Sequence, residues 1–278
     1  MNEAMRDYWN ADAGHTWAEM QARLDLSLSP VTAALLSLAA PMVGGRVLDI
    51  GCGSGETALA LATVVGEGGD VLGVDISRPL LEVAEARAEA LDSDAQFIEA
   101  DAATLAGQGD RDLVISRFGV MFFDDPAAAF ANIRTHARPE GRLRFACWRT
   151  PADNGWAGVP LKAVVPLLPP SAPADPLAPG PFAFADPDRL VGILETAGWQ
   201  DIDLQRFDFD MLLGQGDDPL AAAIEFSMRV GPAARVVREG DAGVRAAAEA
   251  ALRAAYAPYA ADGRVALPGS VWLVSAHA

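Results

Sequence analysis

The sequence predicts an α/β fold in which a doubly wound, mainly parallel sheet carries helices on both faces. Short apolar runs that fit buried strands alternate with alanine-rich helical stretches through residues 41–148. This alternation is typical of parallel strands joined by helical crossovers. The first strand runs into a glycine-rich loop, and a helix begins directly after it. A chain of 278 residues is long enough to bury one large core.

The loop after the first strand has glycines at alternate positions, Gly51, Gly53 and Gly55. Glycine permits positive φ angles and lets a ligand lie against main-chain N–H groups. The helix over 56–65 would direct its positive N-terminal end toward the same point. The loop therefore predicts a site for a nucleotide-like ligand or for one that carries a carboxylate.

Two classes of ligand compete for this loop. A dinucleotide site has the spacing G-x-G-x-x-G, but Glu56 occupies the last glycine position here and Gly55 comes one residue early. An acidic side chain at a helix N-terminus is a poor neighbour for pyrophosphate, and Asp49 adds a second carboxylate beside the loop. Two carboxylates favour a phosphate-free ligand with a cationic amine, such as S-adenosylmethionine, over NAD.

Two later strands also end in acids. The strand over 70–77 ends near Asp75, about 20 residues after the glycines, where α/β nucleotide-binding folds place an acceptor for the ribose hydroxyls. An exposed acid at a strand end is the alternative for this position. The run over 96–103 forms a third short strand that ends in another acid, Asp101, for which a plain helix N-cap is the alternative to a ligand contact.

The order and spacing of five strand ends, the last two over 113–123 and 141–148, resemble those of the class I S-adenosylmethionine-dependent methyltransferases. Within that family the chain is most similar to the bacterial small-molecule enzymes related to the ubiquinone and menaquinone C-methyltransferases. The residues that carry this resemblance are Tyr8-Trp9-Asn10, Trp17, the segment 116–123, Cys147-Trp148-Arg149 and Asn154-Gly155-Trp156.

The resemblance implies a Rossmann-like, seven-stranded sheet in the order 3-2-1-4-5-7-6, with the last strand antiparallel. We expect a helical cap over 1–40, a cofactor-binding core over 41–148, and lid insertions plus the last strands over 149–278. Ten of the 19 prolines fall within 149–187, which argues against a long regular element over 166–187. The insertions are expected over 149–187 and 213–265. The remaining expected elements are helices over 78–91, 126–137, 156–165, 188–197, 217–229 and 233–258, and strands over 202–210 and 270–276.

The resemblance also implies a set of cofactor contacts around S-adenosylmethionine. Asp75 would accept from the ribose, Asp49 would face the amine directly or through water, and Asp101 would face the adenine amino group. The backbone of Ser116 would touch the methionine part. The full expected cofactor set is Trp9, Trp17, Asp49, Gly51, Cys52, Gly53, Gly55, Asp75, Ile76, Asp101, Ala102, Ser116 and Phe118.

Several aromatic residues are candidates for contacts with the cofactor or with the methyl acceptor. Trp9 and Trp17 are spaced to lie near one helical face about two turns apart. They either pack that helix on the core or close over the cofactor and shield its sulfonium. Phe122, Trp148 and Trp156 are the expected walls of an acceptor pocket, and ordinary core packing is the alternative for each of them.

Methyl transfer requires little from the protein beyond alignment of the acceptor with the methyl group and the sulfur, since the methyl carbon is already activated by the sulfonium. His15 is the candidate general base, with a solvated helix residue as its alternative. Arg117 is expected to pair with Asp49, to line the acceptor pocket, or to face outward. The same cofactor-binding fold used for a non-methylating reaction, or for a regulatory role, is the alternative function.

The composition indicates which kinds of molecule this protein can bind. The formal net charge of −17 disfavours nucleic acid as a partner, since an acidic surface repels phosphate backbones, and a small methyl acceptor is expected.

The absence of an 18-residue apolar run predicts no membrane span, and a polar N-terminus predicts a cytoplasmic protein. No spacing of His, Cys, Asp and Glu predicts a metal site, and Cys52 and Cys147 are expected to be buried thiols on neighbouring strands. The sequence does not decide between a monomer and a homodimer.

Overall fold

A computed structural model describes a mainly parallel sheet with helices packed around it. The sheet runs in the order β3-β2-β1-β4-β5-β8-β6, and a short β7 pairs with β8 outside this path. The described residues are 3–167, 175, 177–231, 233–234 and 240–278. The strands are β1 (Arg46–Ile50), β2 (Asp70–Asp75), β3 (Gln96–Glu99), β4 (Arg111–Arg117), β5 (Ala137–Trp148), β6 (Gln200–Gln215), β7 (Ala260–Ala261) and β8 (Arg264–His277).

The predicted strand order is confirmed, because β8 and β6 correspond to the expected seventh and sixth strands. The strands β1 to β5 pair in parallel, and β8 runs antiparallel to both of its neighbours. Burial explains the sequence pattern of β1, since Val47, Leu48 and Ile50 are all inaccessible. A strand covered on both faces reads as a continuous apolar run.

The helices follow the expected positions with shifted ends. The described helices are α1 (Glu3–Asn10), α2 (Asp12–Glu19), α3 (Gln21–Ala39), α4 (Glu56–Val65), α5 (Arg78–Ala90), α6 (Pro126–Arg134), α7 (Gly155–Val164), α8 (Pro187–Thr196), α9 (Pro219–Arg229) and α10 (Ala242–Tyr256). Four of them, α6, α8, α9 and α10, begin after an aspartate whose carboxylate accepts from a first-turn N–H. Such caps satisfy N–H groups that have no partner within the helix. The expected helix over 233–258 includes residues outside the described ranges.

The N-terminal segment forms three helices rather than one continuous helix. Breaks occur at Ala11 and Met20, so Trp9 lies in α1 and Trp17 in α2. The expectation that they share one helical face is therefore wrong, although their rings contact edge to face at 5.3 Å. The third helix packs across β4, β5, β6 and β8, which fastens the N-terminal segment to the sheet.

The fourth strand is shorter than predicted. It ends at Arg117, and Gly119–Phe122 form a 3-10 turn. Phe118 causes the change of direction, since it adopts a left-handed φ of 68°, an uncommon conformation for a residue with a side chain. The apolar run over 118–123 imitates a strand, but it folds back over the end of the sheet.

The last two strands are longer than predicted. They pair along their whole length, from Gln200 opposite His277 to Gln215 opposite Arg264. The intervening segment is therefore 216–263, which is shorter than the expected insertion over 213–265. Both cysteines are buried and free, although Cys52 lies in the loop after β1 rather than on a strand. None of the helices in the described part of the chain is long and apolar enough to cross a lipid bilayer.

Candidate active site

A cavity of about 620 Å³ lies at the carboxyl ends of β1 to β5. Ligands bind in this position in open α/β sheets. Helices α1 to α3 form one side of the cavity, and residues of α7, α9 and the segment 179–182 form the other. The sequence-predicted residues that line it are Trp9, Trp17, Gly51, Cys52, Gly53, Asp75, Ile76, Asp101, Ala102, Arg117, Phe118, Phe122, Trp148 and Trp156.

Four other predicted residues, His15, Gly55, Ser116 and Asp49, do not line this cavity. His15 is exposed and lines a separate shallow groove between α2 and α5, so it is not positioned to act as a general base in the cavity. Gly55 faces the protein interior, where an added Cβ would lie 3.0 Å from both Ala84 and Phe97. The buried Ser116 hydroxyl donates to the Ile50 carbonyl at 2.7 Å, which fixes the ends of β4 and β1 relative to each other.

The glycine loop lies against the turn that follows β4. Gly51 and Gly53 both have positive φ angles. A Cβ added to Gly51 would lie 2.5 Å from the Cα of Gly119, and one added to Gly119 would lie 2.5 Å from the Ile50 carbonyl oxygen. This close approach of two backbones requires glycine on both sides. The role of Gly119 has no signal in the sequence, because it depends on a contact between distant segments.

Asp75 holds the loop and faces the cavity at the same time. Its Oδ2 accepts from the Gly53 N–H at 2.8 Å, and its Oδ1 accepts from the Ser77 N–H at 2.9 Å. Each carboxylate oxygen has a further lone pair, so the group can still accept from a ligand hydroxyl. Burial is the main cause that raises the pKa of Asp75, and the backbone N–H donors oppose it. Asp101 accepts from the Ala103 N–H at 2.9 Å and also lines the cavity.

Asp49 lies behind the glycine loop with a deeply buried carboxylate. It is 1% exposed, and neither oxygen has a hydrogen-bond partner among the described residues. Burial raises the pKa of this group to about 8, with Arg117 opposing the shift and Asp75 adding to it. A buried acceptor without a partner is unusual in proteins. A cationic amine at the loop, direct or bridged by water, fits this carboxylate.

We expect Asp49→Asn to stabilise the ligand-free protein at neutral and higher pH. The folded-state pKa of Asp49 lies near 8 and its ordinary value is 3.8, so the folded chain binds more protons than the unfolded chain between these values. Stability therefore falls as pH rises through this window. The melting temperature of Asp49→Asn should exceed that of the wild type by a margin that widens from pH 5 to about pH 8.

The exposed Asp262→Asn variant is the control, because this residue lies in the turn between β7 and β8. Its melting temperature should follow the wild type at every pH. Parallel curves for Asp49→Asn and the wild type would contradict the assignment of a buried carboxylate with a raised pKa.

Arg117 joins the N-terminal helices to the sheet. Its guanidinium donates to the Thr32 hydroxyl at 2.7 Å and to Glu56, and it lies 3.7 Å from Asp25. Burial and a hydrogen bond shared with Asp25 raise the pKa of Glu56 to about 7, and Arg117 opposes this shift. Arg117 thus lines the cavity without an ion pair to Asp49. Its guanidinium is paired with Glu56 and Asp25. Because arginine does not release a proton in proteins, Arg117 does not serve as a base.

Aromatic side chains form the half of the cavity that lies beyond the glycine loop. The Phe118 ring stacks on Trp148 with centroids 4.4 Å apart, and Trp156 contacts the same indole at 4.7 Å. On the opposite side the Trp9 ring contacts both Trp17 and Phe122 edge to face. The strained backbone of Phe118 places its ring in this wall, and strain of this kind is typical of functional sites.

One buried amide holds part of this wall. Asn154 is fully buried, and its Oδ1 accepts from the Trp156 indole N–H at 3.0 Å and from the Ser270 N–H at 2.9 Å. Its Nδ2 donates to the carbonyls of Thr150 and Ser270 at 3.0 and 3.1 Å. The side chain therefore joins β8 to the start of α7. In the sequence, Asn154 is notable only as part of the resemblance to the methyltransferase family.

Known proteins similar to this chain include methyltransferases. A family model described as a methyltransferase domain matches residues 47–141. The chain is 32% identical to demethylmenaquinone methyltransferase of Roseiflexus castenholzii over 178 residues, which cover 61% of this chain and 74% of that enzyme. It is 31% identical to nocamycin O-methyltransferase of Saccharothrix syringae over 183 residues, which cover 62% of this chain and 65% of that enzyme.

A solved structure shows the same fold. Phosphoethanolamine N-methyltransferase 2 of Haemonchus contortus, in complex with S-adenosyl-L-methionine, superposes with a TM-score of 0.58 at 16% identity. The superposition covers 98% of this chain and 59% of that protein. The fold and the cavity together define a Rossmann-like protein with a ligand-sized cavity at the first glycine loop. The chain belongs to the S-adenosylmethionine-dependent methyltransferases, and S-adenosylmethionine is its cofactor.

Proposed function

We propose that this methyltransferase moves the methyl group to an O, N or C atom of a small, largely apolar organic acceptor. The observation that carries the proposal is one continuous cavity with two chemically different halves. The glycine loop, Asp75 and Asp101 line one half, and Phe118, Trp148 and other aromatic residues line the other. A net charge of −17 supports a neutral or cationic small molecule over a nucleic acid.

The cofactor supplies a methyl carbon that its sulfonium already activates. In this proposal the carboxylates of Asp75 and Asp49 bind the ribose and the amine, and Asp101 contacts the adenine end. The rings of Phe118, Trp148 and Phe122 orient the acceptor and exclude water. No histidine lines the cavity in the described ranges, so alignment rather than proton removal by an imidazole would provide the acceleration.

We propose that α7, α9, α10 and residues 177–184 act together as a lid over the acceptor. The segment 177–184 is held against the turn that follows β4, because the Gly180 N–H donates to the Met121 carbonyl at 3.0 Å.

We also propose a cytoplasmic location, which is supported by two buried cysteines without a disulfide.

Calorimetric titration tests the cofactor half of the proposal. We expect S-adenosylmethionine and S-adenosylhomocysteine to bind and NAD not to bind, because Glu56 and the early Gly55 disfavour pyrophosphate. A screen of small acceptors should then show S-adenosylhomocysteine released only when an acceptor is present. Binding of NAD in place of the sulfonium cofactor would contradict the proposal. Turnover of a bound acceptor without release of S-adenosylhomocysteine would favour a non-methylating reaction.

A further inference from the structure

The lid contains a pair of buried hydroxyl groups for which the cofactor site has no use. Ser227 in α9 lines the cavity, and its Oγ lies 2.6 Å from the hydroxyl of Tyr256 in α10. Ser227 is 4% exposed and Tyr256 is fully buried. The cavity therefore has a hydroxyl on its lid side with a second hydroxyl directly behind it.

The hydrogens of this pair determine what Ser227 can do. Two hydroxyl groups have two hydrogens, and the bond between them uses one. Tyr256 does not line the cavity, so within the described ranges its hydrogen either goes to Ser227 or stays buried without a partner, which is unfavourable. Burial also raises the pKa of Tyr256 to about 12, so the phenol keeps its proton. Tyr256 is therefore the donor, and the hydrogen of Ser227 is left over.

No described residue takes that second hydrogen. A serine within a helix often donates to the carbonyl four residues earlier, which here belongs to Ala223. Ser227 makes no such bond, and its hydrogen bond to Tyr256 is the one it has within the described ranges. Since the residue borders the cavity, an acceptor atom of a bound molecule can take this hydrogen.

The surroundings of Ser227 are apolar and aromatic. Phe226, Val230 and Gly231 line the same wall, and a Cβ added to Gly231 would lie 3.8 Å from the Trp156 ring. The indole N–H of Trp156 is already donated to Asn154. The nearby Arg229 is paired with Glu19. Ser227 is thus a hydrogen-bond donor that is still available on a wall that otherwise favours flat, apolar surface.

We propose that Ser227 is an acceptor-binding residue that donates to an oxygen of a flat aromatic acceptor, with Tyr256 as its positioning residue. The ligand class is an aromatic ring that carries a hydroxyl or carbonyl oxygen. A ring without that oxygen would leave the Ser227 hydroxyl buried and unpaired, and sites built around such a bond discriminate strongly against analogues that lack it. This inference rests on the proposed function and assigns a contact within its acceptor half.

The test uses two ligands of almost equal shape, 2-naphthol and 2-methylnaphthalene, which differ by a hydroxyl in place of a methyl group. Their dissociation constants are measured by equilibrium dialysis against the full-length protein saturated with S-adenosylhomocysteine. We expect the wild type to bind 2-naphthol about tenfold more tightly, which corresponds to one hydrogen bond in a buried site. Ser227→Ala should abolish this preference and change the affinity for 2-methylnaphthalene less than twofold.

Three further variants separate binding from structure. Ser227→Thr should keep the preference, because it keeps the hydroxyl. Tyr256→Phe should reduce the preference about threefold, because it frees the Ser227 hydroxyl to rotate. The exposed Ser29→Ala variant in α3 should behave as the wild type. The affinity for S-adenosylhomocysteine should be the same in all of them.

A preference for 2-naphthol that persists in Ser227→Ala would overturn the inference. So would equal binding of the two ligands, or no binding of either, to the loaded wild type. If Ser227→Ala loses S-adenosylhomocysteine binding, the decision passes to Tyr256→Phe, which keeps the aromatic ring and removes only the hydroxyl group. A wild type that fails to bind S-adenosylhomocysteine at all would contradict the proposed function instead, and the two failures are therefore distinct.

Discussion

Replacement of Asp75 by alanine should weaken the binding of S-adenosylhomocysteine by about tenfold to a hundredfold, since hydrogen bonds to charged groups contribute about 1.5–3 kcal/mol each. The carboxylate holds the glycine loop through the Gly53 N–H and the following turn through the Ser77 N–H. It is also the proposed acceptor for the ribose hydroxyls. The substitution removes both functions, and calorimetric titration measures the change directly.

Two variants bracket this effect. Asp75→Asn keeps the shape of the side chain and one acceptor oxygen, so its loss of affinity should be smaller than that of Asp75→Ala. Asp94→Ala removes an exposed acid from the loop before β3 and should bind as the wild type does. An unchanged affinity in Asp75→Ala would remove this residue from the cofactor site.

Replacement of Asn154 by alanine should lower the free energy of unfolding by about 3 kcal/mol or more. The change leaves the Ser270 N–H and the Trp156 indole N–H without their partner, and it removes one of the two N–H donors to the Ser270 carbonyl, which keeps the Arg149 N–H. Each buried polar group left unpaired costs about 1–3 kcal/mol, and losses of this size follow from broken buried networks. Urea denaturation followed by circular dichroism gives the value.

The same variant should also disturb the acceptor half of the cavity, because Asn154 fixes the Trp156 ring. Asn132→Ala provides the comparison: this amide donates to the carbonyls of Ala102 and Leu105, both at 2.9 Å, from a half-buried position. Its loss of stability should be smaller, about 1 kcal/mol. A loss below 1 kcal/mol for Asn154→Ala would show that the network is not a main support of this wall.

The sheet could be predicted from the sequence because its signals are local. Each parallel strand is an apolar run followed by a turn or an acid, as β1 and Asp75 illustrate, and burial on both faces produces that pattern. The end of β4 could not be predicted, because the left-handed backbone of Phe118 has no signal in an apolar run. The length of β6 was also missed, since its continuation over 211–215 depends on pairing with β8 across 216–263.

The cofactor half of the site was more accessible to prediction than the acceptor half. The spacing of glycines and strand-end acids is enough to identify a ligand-binding loop. Asp75 lines the cavity, as this spacing predicts. His15 was a poor candidate because the breaks at Ala11 and Met20 change which helix face meets the core. Ser227 has no sequence signal, because its importance comes from a contact with Tyr256 and from the wall that α9 happens to provide.

The paired β6 and β8 strands have a consequence for how such an enzyme can change. Gln215 and Arg264 are neighbours in register, so the segment that joins β6 to β8 begins and ends at nearly the same point of the sheet. This segment, 216–263, contains Ser227 and Tyr256. We expect that its exchange between relatives would change the choice of acceptor and leave the glycine loop and its carboxylates unchanged.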